Sequence, residues 1–175
     1  MATTRSRSSI GCGFPITNLH ICYGAKESQI SLQGNPESHQ SRHVLGAEPA
    51  IHVLKDPNCG CCSAWIDILE TDGFAVTTEP SAGTLLMRCK SDNGIPAETA
   101  SCHTARADGY MIEGHVPPPD IRRLIVERPD AIGLAVPSMP YGSPGIGAET
   151  ERHAYDVFLI SRDGGTTVFS RHAAA

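Results

Sequence analysis

Three cysteines in four consecutive positions are the feature that most constrains this chain. Cys59, Cys61 and Cys62 follow the turn residues 55–58 and precede a segment with helical spacing. The start of a helix has unpaired amides and the positive end of the helix dipole, so it stabilises thiolates. Since the thiolate is the reactive form in redox chemistry and in metal binding, the sequence predicts thiol or metal chemistry at a strand–helix junction.

The segments around this motif predict alternating strands and helices. Apolar residues 51–54 indicate a strand, and Trp65, Ile66 and Leu69 continue the helical spacing after Cys62. The later predicted elements are a C-terminal helix cap at Gly73, strand 74–78, helix 84–90, a hairpin of strands 104–106 and 110–113 around Asp108-Gly109, and a third helix from residues 117–119 to Pro129. The order βαβαββα predicts an α/β fold with a thioredoxin-like mixed sheet flanked by helices.

The C-terminal part predicts an addition to this sheet. Glycine and proline recur through residues 131–150, so we expect an extended loop over the domain surface. Residues 155–161 and 166–171 alternate in hydrophobicity around the turn at 162–165. They predict an additional C-terminal hairpin joined to the sheet.

A change in composition near Pro49 indicates the domain boundary. The chain has 175 residues, which suits one domain and little more. Residues 1–49 carry four basic and three acidic side chains and no readable periodicity, whereas residues 50–175 carry ten and sixteen. We expect residues 1–49 to be an irregular leader, either disordered or a wrongly assigned start, and residues 50–175 to form the metal-binding domain.

Charge and hydropathy exclude several classes of partner. The net charge of −5 gives no attraction to phosphate backbones, so we expect no nucleic-acid partner. No apolar stretch reaches the ~18 residues of a membrane span, and the first fifty residues show no secretory signal. We therefore expect no membrane span, and a cytoplasmic location stays open.

Crowded sulfur atoms favour monovalent copper. Soft thiolates select Cu(I), zinc or iron–sulfur centres, and closely spaced sulfurs can bridge neighbouring ions, which fits a multinuclear Cu(I) site. Zinc sites more often present two separated pairs of ligands. Cys102 and His103 add a thiol and an imidazole where the third predicted strand begins. We expect Cys102 to converge with Cys59, Cys61 and Cys62.

Three further side chains are candidate metal ligands, each with a structural alternative. His103 can instead cap its strand, and His115 can hydrogen-bond within a turn. Met139 lies between two prolines that could hold its thioether over the site, although it can also fill the core. The cysteine motif itself can form a reduced or disulfide-linked turn without metal.

The remaining sulfur and imidazole groups are not expected to bind metal. Met87 and Cys89 lie on the second predicted helix, where ordinary packing explains them. Five others lie in the leader without a recognised ligand spacing, namely Cys12, Cys22, His20, His39 and His43.

Several long motifs in order resemble a known bacterial family. They are KDPNCGCC at 55–62, ASCHT at 100–104, DGYMIEGHVP at 108–117, RPDAIGLAVP at 128–137 and MPYGSPG at 139–145. Over residues 50–171 the chain resembles the CopG-like metal-binding proteins, whose domain is known as domain of unknown function 411.

The resemblance implies a thioredoxin-like domain of the bacterial envelope that is linked to copper resistance. It implies Cu(I) binding by Cys59, Cys61, Cys62 and Cys102, and a periplasmic location. Relatives commonly have methionine after Ser-Pro-Gly, where this chain has Ile146, and they usually begin with an export signal.

Three functions remain open at this stage. The first is a protein that sequesters Cu(I), passes it to other copper-handling proteins or cycles its oxidation state. The second is a thioredoxin-like thiol-disulfide oxidoreductase with Cys59 as nucleophile and Cys62 as resolving thiol. The third is a zinc-stabilised interaction module. The first is favoured because a two-cysteine redox motif has no use for Cys61.

Overall fold

The structure, a computed structural model, describes residues 48–175. The predicted leader therefore lies outside the described residues, apart from its last two positions. The first strand begins at Ala50, directly after the composition boundary at Pro49. Among the described residues no helix has the length and hydrophobicity needed to cross a membrane.

Residues 48–175 form seven strands and three α-helices. In chain order they are β1 (Ala50–Lys55), α1 (Gly60–Thr71), β2 (Ala75–Pro80), α2 (Gly83–Asp92), β3 (His103–Ala107), β4 (Tyr110–Gly114), α3 (Pro118–Glu127), β5 (Gly133–Val136), β6 (Tyr155–Ile160) and β7 (Thr166–His172). Short 3-10 turns occur at Ala97–Thr99 and Glu149–Glu151.

All seven strands belong to one mixed sheet with the order β2-β1-β3-β4-β5-β6-β7. The pairs β1–β2 and β4–β5 are parallel, and the other neighbouring strands are antiparallel. The predicted α/β class, the mixed sheet and the additional C-terminal hairpin β6–β7 are confirmed. The finer assignment to a thioredoxin-like fold stays a prediction.

Local sequence signals explain where the elements begin and end. Gly73 takes a φ of +86° just after α1, a left-handed conformation that suits glycine and closes the helix. Asp108 and Gly109 have φ values of +47° and +90°, as a two-residue hairpin turn requires. Pro129 directly follows the left-handed Arg128 at the end of α3.

Strand β5 corrects the prediction of a loop over residues 131–150. Gly133–Val136 is a fully buried strand that pairs with β4 on one side and β6 on the other. A strand buried on both faces has a continuous apolar sequence without alternation, and this one is only four residues long. Because glycine and proline recur on both sides of this strand, the sequence pattern predicts a loop there instead. The residues from 137 to 148 do form a loop, as predicted.

The helices cover both faces of the sheet, and α1 and α3 share one of them. Trp65 and Leu69 of α1 and Leu124 of α3 pack with inward residues of the strands, such as Val53 and Ile112. On the other face Leu86 and Cys89 of α2 pack with the residues that alternate with these, Leu54 and Met111. The prediction of flanking helices is therefore confirmed.

One end of the sheet gathers the chain segments that carry the predicted ligands. Strands β1, β4 and β5 run in the same direction, since β3 is antiparallel to both β1 and β4. Their carboxyl ends therefore lie at the same edge, together with the beginning of β3. The cysteine motif follows β1, Cys102 precedes β3, His115 follows β4 and Met139 follows β5.

Replacement of Gly133 by alanine should strongly destabilise this sheet. A Cβ atom at this position would lie 1.7 Å from the carbonyl oxygen of Met111, its partner on β4, so the two backbones would have to separate. We expect the free energy of unfolding to fall by roughly 3 kcal/mol or more. Urea unfolding followed by the fluorescence of the single tryptophan, Trp65, measures the loss.

Gly60→Ala is the matched control, because a Cβ atom there meets nothing within 4 Å. Its unfolding free energy should stay constant or rise by up to about 1 kcal/mol, as expected for alanine in a helix. Equal stability of the two variants would contradict the close β4–β5 packing.

Candidate metal centre

A cysteine side chain caps the first helix. The turn after β1 is closed by hydrogen bonds from the amides of Asn58 and Cys59 to Asp56. Cys59 is the N-cap residue of α1, and its sulfur accepts a hydrogen bond of 3.3 Å from the amide of Cys62. A sulfur atom here occupies the place of a capping oxygen, where partial positive charge favours the thiolate.

The register of β1 and β3 brings Cys102 to the cysteine motif. Lys55, the last residue of β1, pairs with His103, the first residue of β3. Cys102 therefore lies beside the turn that leads into α1. Its Sγ is 3.4 Å from that of Cys62 and 4.0 Å from that of Cys61.

Four sulfur atoms consequently lie together, and we call them the sulfur cluster: those of Cys59, Cys61, Cys62 and Cys102. All lie within 4.8 Å of one another, and Sγ of Cys59 and Cys61 are 3.5 Å apart. The structure thus brings these four predicted residues together. Their donor chemistry suits a soft metal ion.

Two members of the sulfur cluster are oxidised in this structure. Cys59 and Cys62 form a disulfide, whereas Cys61 and Cys102 are free thiols. A sulfur in a disulfide is not a thiolate ligand, so the full set of four thiolates requires reduction of this bond by two electrons.

His115 presents one defined nitrogen atom to the sulfur cluster. Its Nδ1 lies 2.7 Å from the carbonyl oxygen of Pro144, and because a carbonyl only accepts, Nδ1 carries the proton. Nε2 is then unprotonated in the neutral ring and lies 3.3 Å from Sγ of Cys102. Burial lowers the pKa of His115, which favours this neutral form.

His103 is completely buried next to the same sulfur atom. Its Nδ1 lies 3.4 Å from Sγ of Cys102, and its ring packs against Trp65 with centroids 4.4 Å apart. Burial is the main reason why the pKa of His103 lies well below its usual value. Cys102, His103 and His115 have donor atoms within 4.8 Å of one another and could hold a metal ion as a second group sharing Cys102.

The loop after β5 packs against the start of α1 and orients His115. A Cβ atom on Gly145 would lie 2.8 Å from the amide nitrogen of Trp65 and 3.0 Å from the carbonyl oxygen of Cys61. Only glycine allows this approach, and its φ of +83° is also left-handed. The neighbouring Pro144 supplies the carbonyl that fixes His115, so this loop acts as an outer support of the site.

The pKa of Cys102 is raised to about 11, first by burial and then by the neighbouring Cys61. At neutral pH the metal-free protein therefore carries a protonated thiol at this position. A metal ion would have to displace that proton.

The other sulfur and imidazole groups considered in the sequence are not part of these two groups of donors or lie outside the described residues. Met139 lies in the loop after β5 with a left-handed φ of +46° and 43% of its surface exposed. Cys89 is buried in the core, as expected, but Met87 is exposed, so its predicted role in packing is wrong. The five leader residues lie outside the described residues, namely Cys12, Cys22, His20, His39 and His43.

Sequence reasoning missed one element of the site, the charged pair Lys90 and Glu113. Both side chains are buried and contact residues on either side of Cys102. The available signal was weak: a glutamate inside a strand that is otherwise buried, and a lysine on the inward side of a short helix.

The chain is similar to known proteins in sequence and in structure. Residues 99–146 match a family model described as a protein of unknown function, DUF411. No curated protein matches the chain significantly.

Two solved structures are similar to the chain. One is titled copper resistance protein CopG, form 1, with 44% identity, a TM-score of 0.67, and coverage of 73% of this chain and 100% of that one. The other, form 2 of the same title, has 43% identity, a TM-score of 0.65, and coverage of 71% and 98%. Given this identity over a complete relative, the chain belongs to the CopG-like DUF411 family.

Proposed function

We propose that this protein binds Cu(I) through the sulfur cluster and thereby contributes to copper resistance or homeostasis. The observation that carries the proposal is the convergence of four cysteine sulfur atoms within 4.8 Å. Thiolates are soft ligands that favour Cu(I), and the similar structures are titled copper resistance proteins.

The number of donors favours more than one copper ion. A structural zinc site uses four ligands in a tetrahedron, and four cysteines alone could form one. Here His103 and His115 share Cys102 with the sulfur cluster, so five donors lie around the common sulfur atom and the two groups together offer six. A thiolate of Cys102 that bridges neighbouring Cu(I) ions would use all six.

Met139 is the least supported of the proposed ligands. Its thioether belongs to a loop that starts at the same sheet edge, but the side chain is largely exposed. We propose a transient contact with copper at the rim of the site rather than a place among the buried ligands.

The disulfide bears on the cellular role and location. Binding of copper by all four thiolates of the sulfur cluster requires the reduced form of Cys59 and Cys62. We propose a periplasmic location, as the family resemblance implies, and in such an oxidising compartment this disulfide would have to be reduced before all four cysteines could bind copper as thiolates.

A second candidate function is a thiol-disulfide oxidoreductase. It is favoured by the Cys59–Cys62 disulfide at the start of α1, in which Cys59 is partly exposed and Cys62 is buried. The strand order β2-β1-β3-β4 with helices on both faces supports our proposal of a thioredoxin-like core.

An assay of insulin reduction by metal-free protein separates the two functions. If copper binding is the function, we expect little turnover of insulin. In a separate copper-binding measurement, Cys61→Ser should bind fewer copper ions than the wild type. Rapid turnover that survives Cys61→Ser but not Cys59→Ser would favour the oxidoreductase instead.

Substitution of Cys102 by serine should lower both the stoichiometry and the affinity of Cu(I). The variant removes the sulfur that joins the cysteine motif to the histidines. The affinity loss should exceed the roughly 10–100-fold that is typical of changes outside the ligand set. The measurement is competition with a Cu(I) chelator under anaerobic conditions, with protein whose Cys59–Cys62 disulfide has been reduced.

Met87→Leu is the matched control for this experiment, because it removes an exposed sulfur from α2. It should bind Cu(I) as the wild type does. Unchanged binding by Cys102→Ser would refute the proposed site.

Copper binding should also strengthen with pH. Burial raises the pKa of the Cys102 thiol to about 11 in the metal-free protein. Below this pH the thiol is protonated, so copper binding releases one proton from Cys102. Each pH unit should raise the apparent affinity about tenfold for each proton displaced. Between about pH 6 and 9, the slope of log affinity against pH should be smaller by about one in Cys102→Ser. Equal slopes would show that Cys102 does not lose a proton on binding.

A further inference from the structure

A buried ion pair lies directly beside the site and has no part in the function proposed so far. Lys90 on α2 is 2% exposed and Glu113 on β4 is 0% exposed. Their Nζ and Oε1 atoms are 2.5 Å apart. Lysine and glutamate are almost never fully buried unless they are paired, and even then their desolvation is costly.

The pair is bonded to the chain on both sides of Cys102. On one side, the amide of Ser101 donates a hydrogen bond of 2.6 Å to Oε1 of Glu113. On the other side, Nζ of Lys90 donates a hydrogen bond of 2.8 Å to the carbonyl oxygen of His103. The hydroxyl of Thr104 donates to Oε2 of Glu113.

Stability alone does not account for such a pair. Replacement of a buried ion pair by apolar residues of similar volume is often neutral or stabilising. The pair instead fixes the position of the chain around Cys102, because it forms hydrogen bonds with Ser101, His103 and Thr104. Without it, the amide of Ser101 and the carbonyl of His103 would lose these partners.

The position of Cys102 matters because its sulfur has neighbours from two separate parts of the chain. Sγ of Cys102 lies 3.4 Å from Cys62 at the start of α1 and 3.3 Å from Nε2 of His115 after β4. Metal ligands must be held within a few tenths of an ångström to preserve geometry, and outer hydrogen bonds supply that precision.

We propose that Lys90 and Glu113 are positioning residues that hold Cys102 where it joins the cysteine motif to His115. This inference rests on the proposed Cu(I) site. Neither side chain contacts the metal; both act through the hydrogen bonds to Ser101, His103 and Thr104.

The test is a double-mutant cycle with the sulfur on which the pair is thought to act. Lys90→Met with Glu113→Leu removes the pair and leaves no unpaired buried charge. We expect Cu(I) affinity to fall roughly 10–100-fold, measured by chelator competition on the reduced protein. In a Cys102→Ser background the same double replacement should cause little further loss, because the two changes act through one sulfur.

X-ray absorption at the copper edge gives a second measurement, the number of sulfur neighbours of each copper ion. General destabilisation of the fold does not change this number in folded protein. The spectrum should report fewer sulfur neighbours per copper ion in the folded double variant. Arg88→Met is the matched control, since Arg88 is exposed on the same helix, and it should leave affinity and spectrum unchanged.

The outcomes separate this inference from the proposed function. No Cu(I) binding by the wild type would refute both. Normal binding by the folded double variant, or a loss that simply adds to that of Cys102→Ser, would refute the positioning role alone. If the double variant does not fold, Thr104→Val provides the same cycle with one link removed. It should weaken binding several-fold only when Cys102 is present, and unchanged binding would refute the inference.

Discussion

The contact between the beginning of β3 and the beginning of α1 is the constraint on which the site depends. Cys62 and Cys102 are 40 residues apart in sequence, yet their sulfur atoms are 3.4 Å apart. The antiparallel register of β1 and β3 sets this distance, because it places His103 opposite Lys55. A shift of one residue would turn every side chain of β3 to the other face and remove Cys102 from the cysteine motif.

Support for the site comes from both faces of the sheet. On the face of α1, Trp65 packs against His103 and donates a hydrogen bond of 2.9 Å to the carbonyl of Val116. On the face of α2, Lys90 donates one hydrogen bond directly to the carbonyl of His103 and another to Glu113. The site is therefore built into the folded sheet, although the cysteine motif that supplies three of its sulfurs is local in sequence.

The sequence predicts local features of this protein better than distant ones. Gly73, Asp108-Gly109 and Pro129 act on their immediate neighbours, so the element boundaries that they mark agree with the structure. Strand β5 was missed because a short strand buried on both faces has no alternation. The proximity of Cys102 could be inferred only through an expected fold. The hydrogen bond of His115 to Pro144 and the pairing of Lys90 with Glu113 depend on side-chain packing that no motif encodes.

In the proposed site the disulfide and a copper ion would compete for the same atoms, and this competition would link metal binding to thiol chemistry. Cys59 and Cys62 either form a bond to each other or present two thiolates, so a copper ion bound by them stabilises the reduced form. Conversely, oxidation would leave Cys61, Cys102 and the two histidines as the available donors. The occupancy of such a site therefore depends on the thiol redox state of its surroundings as well as on the copper concentration.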